Sequence, residues 1–262
     1  MPTNNLLPTY TNAPNKVIAV VGPTGSGKTA TGTAIAKALG GVIISADSRQ
    51  VYRGLDIGTN KEGVPGEWQG LPARIIEGIP QLLVDVAEAG TKYTLHDWLQ
   101  SARMSVEAIH AAGKLPIVVG GTGLYVSALL EGYALGEGRY AKLKEEPTFA
   151  SLVIMSDIDR GVLYERSDER FERIFDDLVG EVERLVARGI THDWLQSIGL
   201  DYRFASCYLT RQMNREIAIA EFQRSSRHYI RRQLTWWRHH GRPQLCKSVD
   251  DALTLVRKFA TG

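Results

Sequence analysis

Residues 22–29 read Gly-Pro-Thr-Gly-Ser-Gly-Lys-Thr and fill every fixed position of the phosphate-loop pattern G-x-x-x-x-G-K-[ST]. An apolar, β-branched run, Val17–Val21, precedes them, and a helix-like stretch from Thr29 to Leu39 follows. The chemistry of such a loop is direct. Gly22, Gly25 and Gly27, with Thr24 and Ser26 between them, let the backbone curl until its N–H groups point at one anion. The following helix adds the positive end of its dipole. Lys28 brings a mobile point charge, and the Thr29 hydroxyl is placed to touch a magnesium ion on the same phosphates. A glycine-rich turn that binds nothing is the alternative, and the strand–loop–helix context argues against it. A di- or triphosphate is the expected ligand. The loop alone does not say what happens to it.

The elements around the loop alternate. Val42–Ile44, Leu82–Val86, Pro116–Val119 and Ser151–Met155 read as further short strands. Between them, Leu95, Trp98, Leu99, Ala102, Val106 and Ile109 recur at helical spacing, with Thr94 as N-cap and Gly113 as C-cap. A further helix is expected to start near Thr122. The pattern predicts an α/β fold of the P-loop type, a parallel sheet with helices on both faces. From Arg160 to about His240 the spacing is almost wholly helical. The expected organisation is a tail over 1–15, an α/β core over 16–159 and a helical C-terminal region over 160–262. Gly132–Pro147 reads as a polar loop.

Ligands of parallel sheets bind beyond the carboxyl ends of the strands. Ser45-Ala46-Asp47-Ser48-Arg49-Gln50-Val51-Tyr52 and then Gly54–Thr59 follow the second strand, and Gly120-Gly121-Thr122-Gly123-Leu124-Tyr125 follows the fourth. Asp47 stands out. A carboxylate there can be a general base or a metal ligand, or it can simply cap the next turn. Gly120 and Gly121 permit close approach of a ligand, or serve the turn itself.

Composition sets bounds on the function. With 44% hydrophobic and 23% charged residues over 262 positions, the chain reads as an ordinary globular protein. Cys207 and Cys246 lie far apart without metal-ligand spacing, which suits reduced thiols and a cytoplasmic location. The polar N-terminus shows no secretion signal, and no run is long enough for a membrane span. A monomer is the expected state. The net charge of +2 conceals an arginine-rich C-terminal third.

Four segments together resemble one family. The loop at 22–29, Ser45–Thr59, Gly113–Tyr125 and the late Arg231-Arg232-Gln233-Leu234-Thr235-Trp236-Trp237-Arg238 are similar, in order, to the motifs of tRNA dimethylallyltransferases. The resemblance implies transfer of a dimethylallyl group from its diphosphate to N6 of the adenosine 3′ of the anticodon. It implies Asp47 as general base, and magnesium at Thr29 as the cofactor. Gly22, Thr24, Gly25, Ser26, Gly27, Lys28 and Thr29 would bind the diphosphate. Thr122 would act at the catalytic centre, and Arg203 would make a further diphosphate contact. Ser48, Arg49 and Gln50 would meet the target nucleotide.

The partner implied is the tRNA anticodon stem-loop, whose target base must be drawn out of its stack. Arg224, Arg227, Arg231 and Arg238 share one helix face, with Arg232, Gln233 and Trp236 nearby. Phe222, Ile230, Leu234 and Trp237 occupy another face and should pack inward. A solvated amphipathic face is the alternative for the arginines. The absence of acidic residues at i±4 along the stripe favours RNA. Two departures from the family stand out. Most members carry a helical insertion where this chain has the short Gly132–Pro147 connection. The usual Gly-Tyr-x-Glu/Gln element appears as Gly199-Leu200-Asp201-Tyr202-Arg203-Phe204. Prenylation of a free adenine nucleotide, a P-loop small-molecule kinase and a non-catalytic RNA-binding protein are the competing readings.

Overall fold

The computed structural model describes residues 15–135, 142–144 and 149–261. Its centre is a run of six parallel strands. β1 (Lys16–Val21) lies between β6 (Pro116–Gly120) and β9 (Ala150–Ser156), β2 (Val42–Ser45) flanks β6, and β5 (Ile79–Leu82) flanks β2. β1, β2 and β6 are almost wholly buried, as strands covered on both faces must be. Alternate residues of β1 serve two cores. Ile18 and Val20 face Ile35 of α1 (Lys28–Leu39) and Val256 of α8 (Val249–Thr261). Val17, Ala19 and Val21 belong to the core shared with α2 (Leu95–Ala111), α3 (Gly123–Leu130) and the late helices. At the start of α2, Thr94 Oγ1 accepts from Asp97 N, and the Asp97 carboxylate accepts from Thr94 N in return.

The late helices are α4 (Arg160–Ala187), α5 (His192–Ile198), α6 (Leu200–Leu209) and α7 (Arg215–His239). They pack through aromatic rings. Phe171 of α4 stacks on Phe222 of α7 at 3.6 Å between centroids, and Phe204 of α6 meets Phe222 edge-on. The chain then returns to the sheet. β10 (Gln244–Cys246) pairs in parallel with β9, and α8 packs on α1. Cys207 and Cys246 are both buried and not joined in a disulfide.

Two expectations need correction, and the sheet is wider than expected. The strand expected over Leu82–Val86 is β5, which ends at Leu82. Leu83 and Asp85 take φ of 60° and 57°, which breaks the extended run. Two antiparallel strands, β3 (Val64–Trp68) and β4 (Leu71–Ile76), extend the sheet beyond β5. Their turns are Gln69-Gly70 and Glu77-Gly78, each with two positive φ values, the backbone that tight hairpins prefer. Within the stretch expected to be a loop, β7 (Tyr133–Leu135) and β8 (Lys142–Lys144) form an antiparallel ribbon. The rest of Gly132–Pro147 from residue 136 onward, and residues 1–14 of the expected tail, lie outside the described residues.

Candidate active site

The phosphate loop leaves the end of β1 and enters α1. Gly25 and Gly27 take φ of 81° and 74°, where any side chain would strain the backbone. Ser26 N donates to Pro23 O at 3.3 Å and Thr31 N to Gly27 O at 3.0 Å, which ties the loop to the first helical turn. No side chain caps α1, so its leading N–H groups face the cavity mouth. Lys28 Nζ rests 3.4 Å from Pro23 O. Burial pushes the pKa of Lys28 down, the Asp47 carboxylate pulls it back up, and the Arg170 guanidinium pushes it down again.

Asp47 sits just past β2. Its Oδ1 accepts from the backbone N–H of Arg49 at 2.9 Å and of Gln50 at 3.4 Å. So it does cap the turn. That cap uses one oxygen, and among the described residues no hydrogen bond reaches Oδ2. Asp47 lines a cavity of about 330 Å³ together with Gly25, Gly27, Lys28, Thr29 and Thr24. The sheet thus brings the phosphate loop and the carboxylate to one hollow.

Thr122 sits where β6 meets α3. Its Oγ1 accepts from Ser48 N at 3.2 Å, and its own N–H donates to Ala46 O at 3.2 Å. It therefore braces the turn that carries Asp47. Neither Thr122 nor Ser48 lines the cavity, whereas Arg49 and Gln50 do. Gln50 is held from both ends, accepting from Ser45 Oγ at 3.0 Å and donating to Thr59 O at 3.1 Å. The Arg49 and Arg232 guanidinium groups both lie over the Tyr229 ring, at 5.9 and 5.7 Å from its centroid.

Two arginines of α4 complete the cradle, and neither stood out in the sequence. Arg166 Nη1 donates to Gly25 O at 3.0 Å. Arg170 donates to Asp201 Oδ1 and Gly58 O, both at 2.8 Å, while its buried Nε has no partner. Both line the cavity. They lie four residues apart on a helix also rich in Asp and Glu, a pattern that a solvated helix face shows equally. The segment Arg170 grips is itself held by Glu181. That buried carboxylate accepts from the N–H groups of Asp56, Ile57 and Gly58 at 3.0, 2.8 and 3.4 Å, and from Tyr202 Oη at 2.6 Å. Burial first, and Glu181 next, push the Tyr202 phenol well above its ordinary pKa.

Arg203 is not brought to the cavity. It is exposed and donates to Gln196 O at 2.9 Å; Leu200 and Asp201, at the start of α6, are the residues of that element that line the cavity. The arginine stripe of α7 is exposed as expected, with Phe222, Ile230 and Trp237 buried and Leu234 half-buried. The stripe does have acidic partners, however. Arg227 pairs with Asp168 of the neighbouring α4 at 2.7 Å, and Arg224 approaches Glu221, three residues before it on α7, at 3.7 Å; i±4 spacing covers neither case. Arg231 contacts His228, and Arg238 is exposed. Trp236 packs on the start of α3 at Gly123, where a Cβ would come within 2.3 Å of its ring, and stacks on His240. Gln233 is buried at the cavity wall and donates to Gly121 O at 3.0 Å.

Comparison with known proteins gives a consistent set of likenesses. The family profile described as IPP transferase matches residues 50–146 and 136–240, and that described as Isopentenyl transferase matches residues 15–72. A tRNA dimethylallyltransferase of Streptococcus gordonii is 34% identical over 86% of this chain and 90% of its own. One of Thermomicrobium roseum is 33% identical over 87% and 84%. The alignment to the former runs to 274 positions with only 86% of these 262 residues taking part, so that relative carries several dozen positions missing here. Among solved structures, the tRNA isopentenylpyrophosphate transferase of Bacillus halodurans superposes with a TM-score of 0.80 at 28% identity, covering 95% of this chain and 96% of that one.

Proposed function

This chain belongs to the tRNA dimethylallyltransferase family, and from that membership and its cavity we propose that it prenylates N6 of the adenosine 3′ of the anticodon in tRNA. Dimethylallyl diphosphate is the donor. One observation carries the reading: the phosphate cradle and the Asp47 carboxylate line the same hollow. The C1–O bond of the donor breaks, a bond forms between C1 and N6, and one N6 proton leaves. The lone pair of an adenine amine is delocalised into the ring, so a base taking that proton during attack lowers the barrier. Asp47 Oδ2 is the oxygen free to take it, while Oδ1 stays locked to the backbone. Charge grows on the departing diphosphate. Lys28, Arg166, Arg170 and the loop N–H groups meet it without rearrangement.

The donor set suits magnesium. The Thr29 hydroxyl and the Glu62 carboxylate line the cavity and would offer hard oxygen ligands beside the phosphate oxygens that the donor brings. A bound ion would supply further neutralisation of the leaving group. Thr122 acts through the Ser48 turn and positions Asp47. Arg49 and Gln50 face the incoming nucleotide, and the exposed arginines of α7 take the RNA backbone.

Label transfer from dimethylallyl diphosphate, with magnesium, to bulk tRNA, an anticodon stem-loop and AMP tests this directly. Product on the two RNAs and none on AMP is expected. Product on AMP alone would move the function to nucleotide prenylation. Turnover of ATP with no prenyl product would overturn prenyl transfer altogether.

A further inference from the structure

Gln233 carries an unused acceptor. It is 7% exposed, its Nε2 donates to Gly121 O at 3.0 Å, and its Oε1 is buried without a partner among the described residues. Gln233 lines the cavity, and the bond to Gly121 takes up Nε2, so Oε1 is the end of the amide left for another partner. The lack of a side chain at residue 121 makes this approach possible, since a Cβ there would lie 2.6 Å from Nε2 and 3.8 Å from Lys28 Cε. The amide therefore stands beside the lysine of the phosphate loop. It also stands beside the strand end whose Thr122 is bonded to Ala46 and Ser48, the neighbours of Asp47. A buried carbonyl without a donor is costly, and a ligand that brings one removes the cost.

The substrates of the proposed reaction differ in what they bring. A diphosphate offers only acceptors, and a dimethylallyl tail offers neither donors nor acceptors. The acceptor nucleoside alone carries N–H and O–H groups. Of these, the adenine amine must come between the diphosphate carbon and Asp47, in the cavity that Asp47, Lys28 and Gln233 line together. An amine has two protons, and the reaction removes one.

We propose that Gln233 Oε1 accepts the N–H of the adenine amine that is not removed, and thereby selects a 6-aminopurine. This rests on the prenyl-transfer reading above. One N6 proton passes to Asp47 as the N6–C1 bond forms and diphosphate leaves; the other stays on N6, bonded to Gln233. Positive charge develops at N6 during attack, and an acceptor on the remaining N–H stabilises it. A 6-oxopurine would set its carbonyl oxygen against Oε1, two acceptors face to face.

The test uses three stem-loops with adenosine, unsubstituted purine riboside or inosine at the target position. Their affinities for the wild type are measured without prenyl donor, so that nothing turns over. Adenosine should bind roughly tenfold tighter than purine, and tighter still than inosine. Gln233→Leu should lower the adenosine-to-purine ratio several-fold, leaving the part that the bond from the amine to Asp47 supplies, and Gln233→Asn, which retracts the carbonyl but keeps the amide, should lower it less. A merely structural role would weaken all three RNAs together and leave the ratio unchanged, which would overturn the proposal. Wild-type enzyme that fails to prenylate the adenosine loop would overturn the underlying reading instead. Retained transfer with an unchanged ratio would overturn only the role of Gln233.

Discussion

Asp47 holds a turn with one oxygen and leaves the other toward the cavity. The two roles separate by mutation, because an asparagine keeps Oδ1 as acceptor for Arg49 and Gln50 N–H. Asp47→Asn should therefore fold normally and bind stem-loop RNA within a few fold. Single-turnover prenyl transfer should fall by about 10²–10⁴. Loss of RNA binding in parallel would assign Asp47 to structure instead. Lys28 gives a second prediction, through pH. Burial lowers its pKa, and only the ammonium attracts diphosphate. Because the folded-state pKa is depressed, the neutral amine becomes populated at a lower pH than for a free lysine. Diphosphate affinity should then weaken as pH rises through that lowered value, and Lys28→Arg should abolish the trend. Titration calorimetry with inorganic diphosphate reads this out, and an identical pH trend in Lys28→Arg would reject it. The phosphate loop was legible in the sequence because its parts are contiguous and each fixed position has one physical use. Arg166 and Arg170 were not, since an arginine facing a cavity and one facing water share the same helical spacing.

At the level of elements, α4 joins the late helices to the site. Its Glu181 organises residues 56–58, and the carbonyls of that segment in turn hold Arg170. Lys61, whose side chain is fully buried, bonds Asp56 and Asp85, and Arg74 of β4 bonds the same two carboxylates. The antiparallel extension of the sheet thus braces the segment from its other side. Glu181→Ala leaves three backbone N–H groups and the Tyr202 hydroxyl without their acceptor. It should cost about 2–4 kcal/mol by chemical denaturation. Diphosphate affinity should fall as well, since Arg170 loses its support. Tyr202→Phe removes one bond and should cost only about 1 kcal/mol. Equal costs for the two would show that Tyr202, not the backbone segment, is the main client of Glu181. The strands β1, β2, β6 and β9 and the helical character of residues 160–240 were readable from residue pattern, whereas β5 was placed too late and β10 was not seen. The β3–β4 pair was missed because its turns use Gln-Gly and Glu-Gly, weaker signals than Asn-Gly or Asp-Gly.

For the whole molecule the question is how RNA is held by a chain with a net charge of only +2. The family profile matches in two pieces that meet at residues 136–146, where the sequence shows only a short connection in place of the helical insertion. On the proposed reading, the exposed arginines of α7 carry a larger share of the electrostatic attraction. They are not equivalent. Arg231 has no carboxylate partner among the described residues, whereas Arg227 is already bound to Asp168, which raises its pKa by hydrogen bonding and charge. A guanidinium neutralised within the protein releases few counterions from RNA. Arg231→Ala should reduce the slope of log Kd against log salt by about 0.7–0.9, the value of one phosphate contact. Arg227→Ala should change it by less than half as much. Stem-loop titrations over a range of potassium concentrations measure both slopes. If the two substitutions change the slope equally, the Asp168 pair must open on binding, and the stripe then meets the RNA as one continuous face. If neither does, the phosphates lie elsewhere, and the cavity-facing Arg49 with its neighbour Arg232 over Tyr229 becomes the surface to vary next.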